Sequence, residues 1–272
     1  MAKYFYILLA AFFISSCSQY QKALKSDDTK LKYEVAEKMY EKEKYAKAIR
    51  LFEQLTPSHR GKPQAEKMFY MYSQSLYKTK QYYLAAYQFE SFTAGYPRSE
   101  KMEEASFLAA KSFYFLSPVY SLDQTDTYKA MDKLQGFIND YPNSSYMPEA
   151  NQIVKELTEK LEKKAFEIAK QYNTIGEYMS ASGGSYTTAI IALDNFLIEY
   201  PGTIYKEDAL FLKFDSAYKL AINSVPSKMQ ERLNTAKGHY AALIKFRPET
   251  KYKKEADQML LNIETELTKF AK

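Results

Sequence analysis

The stretch Ala130–Pro142, AMDKLQGFINDYP, contains the pattern that decides the fold. Apolar residues stand at its first, fifth and eighth positions, Ala130, Leu134 and Phe137. This spacing places three side chains on one face of an α-helix, and the Pro that follows favours the end of that helix. The same register recurs in four segments that begin at Ala48, Ala85, Ala189 and Ala236 and end at Pro57, Pro97, Pro201 and Pro248.

A second set of small residues predicts a partner helix before each of these segments. They are Ala36, Ser73, Ala110, Ala169 and Ala217, and another Ala stands eight residues after each Pro, at 65, 105, 150, 209 and 256. The separation between the two helices of a pair is 12 residues in the first two units, the spacing of a tetratricopeptide repeat, and 19 or 20 in the others. The extra residues predict loops at 117–126, 177–186 and 222–230.

The predicted fold is therefore all-α, an α-solenoid of five tetratricopeptide-like helix pairs with a C-terminal capping helix near 249–271. Residues 148–178 are periodic without a breaker and predict one long helix, or two stacked end to end. We expect an N-terminal half at 31–142, with repeats 1–3, and a C-terminal half at 143–272, with repeats 4 and 5.

The N-terminal residues have the pattern of a secretory signal. A weakly basic start is followed by the apolar run Tyr4–Ile14 and then by Ser15-Ser16-Cys17, which resembles the lipobox of bacterial lipoproteins. We expect a signal peptide at 1–16, lipid attachment at Cys17 and a polar tether at 17–30. Ser18 follows the Cys, where Asp retains some lipoproteins in the inner membrane, so we expect lipid anchoring in the outer membrane, facing the periplasm. An ordinary signal with an incidental Cys is the alternative.

The composition argues against an enzyme. The chain of 272 residues has one Cys and two His, which excludes a Cys-based zinc site and a His-rich catalytic or metal cluster. It contains no phosphate-binding glycine loop, no G-x-S-x-G and no H-E-x-x-H. A net charge of +5 without a concentrated basic patch does not indicate nucleic-acid binding. We expect no cofactor, no metal and no catalytic residue.

Two aromatic columns run through the first helices of the repeats. Three residues before the small reference residue stand Tyr33, Tyr70 and Phe107, and four residues after it stand Tyr40, Tyr77 and Tyr114. In one interpretation these six side chains form an amphipathic strip in a groove that grips an extended peptide. In the other they fill the core between successive pairs. The sequence leaves both open.

Several motifs resemble the BamD family, the tetratricopeptide-repeat lipoproteins of the outer-membrane β-barrel assembly machinery. They are the stretch Phe137–Tyr172 with its YPNS-x-Y-x₃-A element, the YP-x-T-x₄-DAL element from Tyr200, and the acidic loop at 121–124. The resemblance implies a non-catalytic scaffold. Its partners would be a BamA-like barrel with POTRA domains, bound by the C-terminal half, and unfolded outer-membrane β-barrel proteins, received by the N-terminal repeats.

Other envelope functions remain open at this point. A different periplasmic tetratricopeptide lipoprotein, which scaffolds cell-envelope or division proteins, predicts the same repeats. An envelope hydrolase or a solute-binding lipoprotein would need a catalytic constellation or a larger chain.

Overall fold

A computed structural model describes residues 19–59, 65–178 and 184–270. Within these ranges the regular structure is helical and contains no strand. The chain divides into two compact units, Met1–Leu157 (unit 1) and Thr158–Lys272 (unit 2). In the described part of the chain, no helix combines the length and the apolar character needed to cross a membrane.

In the described residues, eleven long helices follow a short first one. A helical segment at 19–25 (α1) precedes α2 (Thr29–Glu41), α3 (Tyr45–His59), α4 (Glu66–Lys78), α5 (Tyr82–Gly95), α6 (Met102–Leu116), α7 (Thr125–Asp140), α8 (Met147–Tyr178), α9 (Gly184–Glu199), α10 (Lys206–Ile222), α11 (Pro226–Phe246) and α12 (Lys253–Thr268). Short connections join consecutive helices, as in an antiparallel helical-repeat protein.

The predicted register of helix pairs is confirmed. The five alanines that open the repeated segments and the five that follow the prolines are all fully buried, and the small residues of the first helices are at most 3% exposed. Small side chains at these positions let two helix backbones approach closely, while Phe and Leu one and two turns later fill the core. The residues 148–178 form one continuous helix, α8, and the C-terminal helix is α12.

A repeated turn joins each pair to the next. Two residues after Pro97, Pro142, Pro201 and Pro248 stands a Ser or Thr whose hydroxyl accepts a hydrogen bond from the backbone N–H two residues later, at 3.0–3.3 Å; these are Ser99, Ser144, Thr203 and Thr250. Three of these hydroxyls also donate to a Glu at the start of the preceding first helix, Glu66, Glu103 or Glu207, at 2.5–2.6 Å. The P-x-S/T motif therefore fixes the turn between pairs at these four positions.

At Glu207 this turn assembles a buried carboxylate site. Thr250 donates to Oε1 at 2.6 Å, the backbone N–H of Lys251 donates to the same oxygen at 2.9 Å, and Arg247 pairs with Oε2. The Thr250 hydrogen bond and the two neighbouring donors hold the pKa of Glu207 below its usual value. Such charge-assisted contacts stabilise the ionised carboxylate inside unit 2.

The structure differs from the sequence-based expectations in four places. Pro57 lies inside the last turn of α3, which ends at His59, instead of ending the helix; in the same turn the hydroxyls of Thr56 and Ser58 donate to the carbonyls of Phe52 and Leu55. Most of the loop expected at 222–230 is helical, because Pro226 takes the first position of α11, where its missing N–H costs nothing.

The third difference concerns the expected tether at 17–30. Residues 19–25 are helical, with Tyr20 and Ala23 buried in the core of unit 1, so this polar stretch docks through two apolar side chains. The fourth is the boundary between the halves. It lies after Leu157 and not at 142, because the first turns of α8 pack Ala150, Ile153 and Leu157 into the core of unit 1.

Candidate peptide-binding site

The first helices of repeats 1–3 carry the six aromatic residues of the predicted strip. Tyr33 and Tyr40 lie on α2, Tyr70 and Tyr77 on α4, and Phe107 and Tyr114 on α6. The five tyrosines are half-buried, and all of them pack against the buried clusters of unit 1 while keeping part of their surface exposed. Each tyrosine ring therefore has one part in the core and another part at the surface, so the core interpretation and the binding-strip interpretation each describe part of the same side chains.

Phe107 does not belong to this surface. It is 1% exposed and packs against Phe137 in the core. The ring of Tyr146 stacks on it with centroids 4.7 Å apart and planes 16° apart. Including Phe107 in a peptide-binding strip is thus wrong, because an aromatic ring of the following turn already covers it.

This cover is a repeated feature of the turns. The residue four after the Pro is Tyr146, Tyr205 or Tyr252 in three turns, and each of these tyrosines stacks on a Phe of the preceding first helix. In the second repeat the same position is Lys101, whose ammonium lies 5.4 Å from the centroid of the Tyr70 ring. Here a cation at the ring's face replaces the aromatic cover.

A cavity of about 540 Å³ lies where the aromatic cover is missing. Its lining combines two aromatic rings and Met71 with five charged side chains; the residues are Glu37, Tyr40, Glu41, Glu66, Lys67, Tyr70, Met71 and Lys101. Lys67 pairs with Glu37 at 2.5 Å, and Lys101 pairs with Glu104 at 3.2 Å. Because both lysines are more than half exposed, these pairs are weak and can exchange with charges on a ligand.

The Tyr70 ring forms the floor of this cavity. It packs against Phe92 and Phe89, with centroid distances of 5.7 and 6.5 Å. Gln74 donates to its hydroxyl at 2.8 Å and also to Oε1 of Glu104 at 3.3 Å, so that this carboxylate lies close to the ring. Burial, followed by the Glu104 contact, raises the pKa of Tyr70 far above the usual tyrosine value. The ring is therefore a neutral, fixed aromatic surface at any physiological pH.

The remaining tyrosines have separate environments. Tyr77 contacts Tyr82, Phe89 and Phe115, and burial raises its pKa. The hydroxyl of Tyr114 donates to Glu156 at 2.6 Å, and this contact raises its pKa. Tyr33 lines a second cavity of about 340 Å³ with Thr29, Lys30 and His59. Of the predicted strip, Tyr40 and Tyr70 are the two residues that share the larger cavity.

Sequence reasoning missed the charged lining of this cavity. Glu37, Lys67 and Lys101 belong to neither aromatic column, and Lys101 lies in a turn. One signal in the sequence does indicate it: the residue four after the Pro is Tyr in the last three repeats, Lys in the second and Gly in the first.

The described ranges hold no metal site. They contain no cluster of three or more His, Cys, Asp or Glu side chains that could hold a metal ion. His59 ends α3, where its Nδ1 lies 3.0 Å from the carbonyl oxygen of Leu55. His239 lies in α11, and its pKa is lowered by burial and by Lys213. Cys17, the predicted lipid-attachment residue, lies outside the described residues.

Helix pairs of this register, with an exposed aromatic cavity between two first helices, define a tetratricopeptide-like repeat protein. The family model YfiO, described as an outer membrane lipoprotein, matches residues 25–184 and 178–270. The chain belongs to this family, which is the BamD family, and the resemblance seen in the sequence is confirmed.

The comparisons with solved structures and with curated proteins do not extend this assignment. The TPR2AB domain of yeast Sti1, in its pHsp90 complex, is 12% identical, covers 87% of this chain and 98% of its own, and has a TM-score of 0.40. A structure titled as a computational design of self-assembling cyclic homooligomers is 15% identical, with coverages of 98% and 95% and a TM-score of 0.24. At these TM-scores neither carries an argument. No curated protein matches the chain.

The substitution Lys101→Tyr tests whether the missing cover leaves the cavity open. A tyrosine at this position should stack on Tyr70 and raise the free energy of unfolding by about 1 kcal/mol relative to Lys101→Ala. The reverse change, Tyr146→Lys, should lower it by a similar or larger amount because it uncovers Phe107. Urea denaturation of the three variants and the wild type measures this. Equal stability of the Lys101→Tyr and Lys101→Ala variants would contradict it.

Proposed function

We propose that this protein is a non-catalytic scaffold of the outer-membrane β-barrel assembly machinery. It is anchored by lipid on Cys17 to the outer membrane and faces the periplasm. It binds unfolded outer-membrane β-barrel proteins through repeats 1–3 and a BamA-like barrel, through its POTRA domains, with the C-terminal half. Membership of the YfiO family supports this assignment.

The observation that carries the substrate part is the uncovered Tyr70 cavity. An extended peptide can place an aromatic or aliphatic side chain against Tyr70 and Met71, where a cover residue stands in other repeats. Lys67 and Lys101 can pair with a carboxylate of the peptide, including a terminal one, while Glu37 and Glu66 accept from its N–H groups. The C-terminal segment of a barrel protein, which ends in an aromatic residue, has this chemistry.

The C-terminal half contains a buried polar network that joins its helices. In unit 2, the buried amide of Asn173 donates to Asp215 and to Ser216, both at 2.8 Å, and Lys219 pairs with Asp215 at 2.9 Å. Together with the Glu207 site, this network ties the first helices of unit 2 to their neighbours. A satisfied polar network of this kind favours a fixed docking platform over an adaptable groove.

Peptide binding tests the substrate part. A peptide with the last residues of an outer-membrane barrel protein should bind the mature chain, and Lys101→Tyr should weaken binding at least tenfold because the new ring occupies the cavity. Lys101→Ala is the matched control: it removes the same charge, leaves the cavity open and should retain most of the affinity. Fluorescence anisotropy measures both. Equal affinity for the Lys101→Tyr variant and the wild type would place peptide binding elsewhere.

Isolation of the protein from its own membranes tests the scaffold part. We expect affinity purification to recover a barrel protein with POTRA domains, and depletion of the protein to lower the amounts of outer-membrane barrels. Mass spectrometry should find a lipidated Cys17 as the first residue. Recovery of cell-wall or division enzymes instead, with normal barrel levels after depletion, would contradict this assignment and favour the alternative tetratricopeptide lipoprotein.

A further inference from the structure

The exposed apolar side chains of unit 1 gather at one end of its helix pairs. The large apolar side chains that the described part of this unit exposes lie in the first two turns of α5, at the end of α6, in the α6–α7 loop and at the start of α7. They are Tyr83, Leu84, Tyr87, Phe115, Val119, Leu122 and Tyr128, each 42–72% exposed. We call this set the turn-end patch. Such a concentration of apolar surface marks an interaction site.

Ring contacts join the two parts of the turn-end patch. Tyr82, at the start of α5, stacks on Phe115 with centroids 4.4 Å apart and planes 21° apart. Tyr77 packs against both rings. The α4–α5 turn and the α6–α7 loop are therefore one surface of unit 1 and not two separate loops.

Lysines and carboxylates both lie beside this surface. Lys78 is the last residue of α4 and Lys80 lies in the α4–α5 turn, and both are exposed, as are Lys42 and Lys44 in the corresponding α2–α3 turn. Asp123 is exposed in the α6–α7 loop, and Asp126, at the start of α7, pairs with Lys129 at 3.5 Å. Protein–protein interfaces are depleted in Lys, whereas Tyr beside Lys is typical of a membrane interface, where the ring lies at the headgroup level and the ammonium reaches the phosphates. The composition of this end therefore favours a lipid surface as its partner.

The chain enters the described structure at the same end. The ring of Tyr20 lies beneath the ammonium of Lys47, 5.2 Å from it, and Lys47 is in the first turn of α3, next to the α2–α3 turn. Cys17 precedes Gln19 by two residues, which span at most about 7 Å. A lipid on Cys17 would therefore hold the turn end of the helix pairs, and not the opposite end, against the bilayer.

We propose that the turn-end patch lies in the interfacial layer of the membrane that carries the Cys17 anchor. Its Tyr, Leu and Val side chains insert among headgroups and upper acyl chains, about 5–10 Å deep, and its lysines pair with anionic lipid phosphates. This orientation rests on the proposed lipid anchor. It adds a second attachment that fixes how the repeats are presented to the periplasm.

A tryptophan reporter tests this orientation, because the chain contains no Trp. Leu122→Trp places a single Trp in the turn-end patch, and Tyr83→Trp places one on its α5 side. Ser145→Trp is the control, an exposed position in the turn between α7 and α8, at the opposite end. The lipidated mature proteins are reconstituted in vesicles of phosphatidylethanolamine and phosphatidylglycerol, with and without brominated acyl chains, and circular dichroism confirms that each variant folds.

We expect the Trp fluorescence of the Leu122→Trp and Tyr83→Trp variants to shift to shorter wavelengths on vesicle binding and to be mostly quenched by brominated lipid. The fluorescence of the Ser145→Trp variant should be unchanged by brominated lipid. Lipidated protein with no quenching at 122 and 83, or with equal quenching at 145, would overturn the orientation and leave the lipid anchor standing. Absence of lipid on Cys17, seen by mass spectrometry, would instead overturn the anchor and the orientation together.

Discussion

The contact on which the repeats depend is the stacking of a turn residue on an aromatic ring of the preceding first helix. The hydroxyl cap of the P-x-S/T turn fixes the backbone so that the residue four after the Pro lies over that ring. Tyr146 on Phe107 shows the closed arrangement. An aromatic pair contributes about 0.5–1.5 kcal/mol beyond the burial of its surface, so a Tyr at this position keeps the ring beneath it covered. A Lys at this position leaves the ring accessible to a ligand.

The choice of Tyr or Lys at this turn position distinguishes the second repeat from those that follow it. Lys101 leaves Tyr70 without an aromatic cover in unit 1, while the charged pairs around it keep the cavity polar at its rim. The turn-end patch lies beside the Tyr77 ring, at the end of α4 beyond Tyr70. Unit 1 thus contains both the cavity that we propose for peptide binding and the apolar turn-end patch that we propose lies in the membrane interface.

Much of the fold could be predicted because buried alanines repeat at fixed offsets from Pro. That rule depends on helix periodicity and close helix packing, which one sequence records well. It failed at Pro57, where the helix continues for two residues past the Pro, and at Tyr20 and Ala23, where two apolar residues suffice to dock a polar segment. It also could not locate the division between the units, which depends on which core each part of α8 joins.

The site was less predictable than the fold. The register of the aromatic columns predicts that Tyr40 and Tyr70 are site residues. The residues that cover the rings lie outside the helices, so the turn geometry is needed to decide which ring has an aromatic cover.

A crystal structure of the double variant Lys101→Tyr with Tyr146→Lys shows whether the turn residue decides which ring is covered. We expect the cavity beside Tyr70 to close under a ring stacked from position 101, and a new opening to expose Phe107 beneath the lysine introduced at position 146. A cavity that remains beside Tyr40 and Tyr70, with Phe107 still buried, would show that the turn residue does not decide which repeat is open.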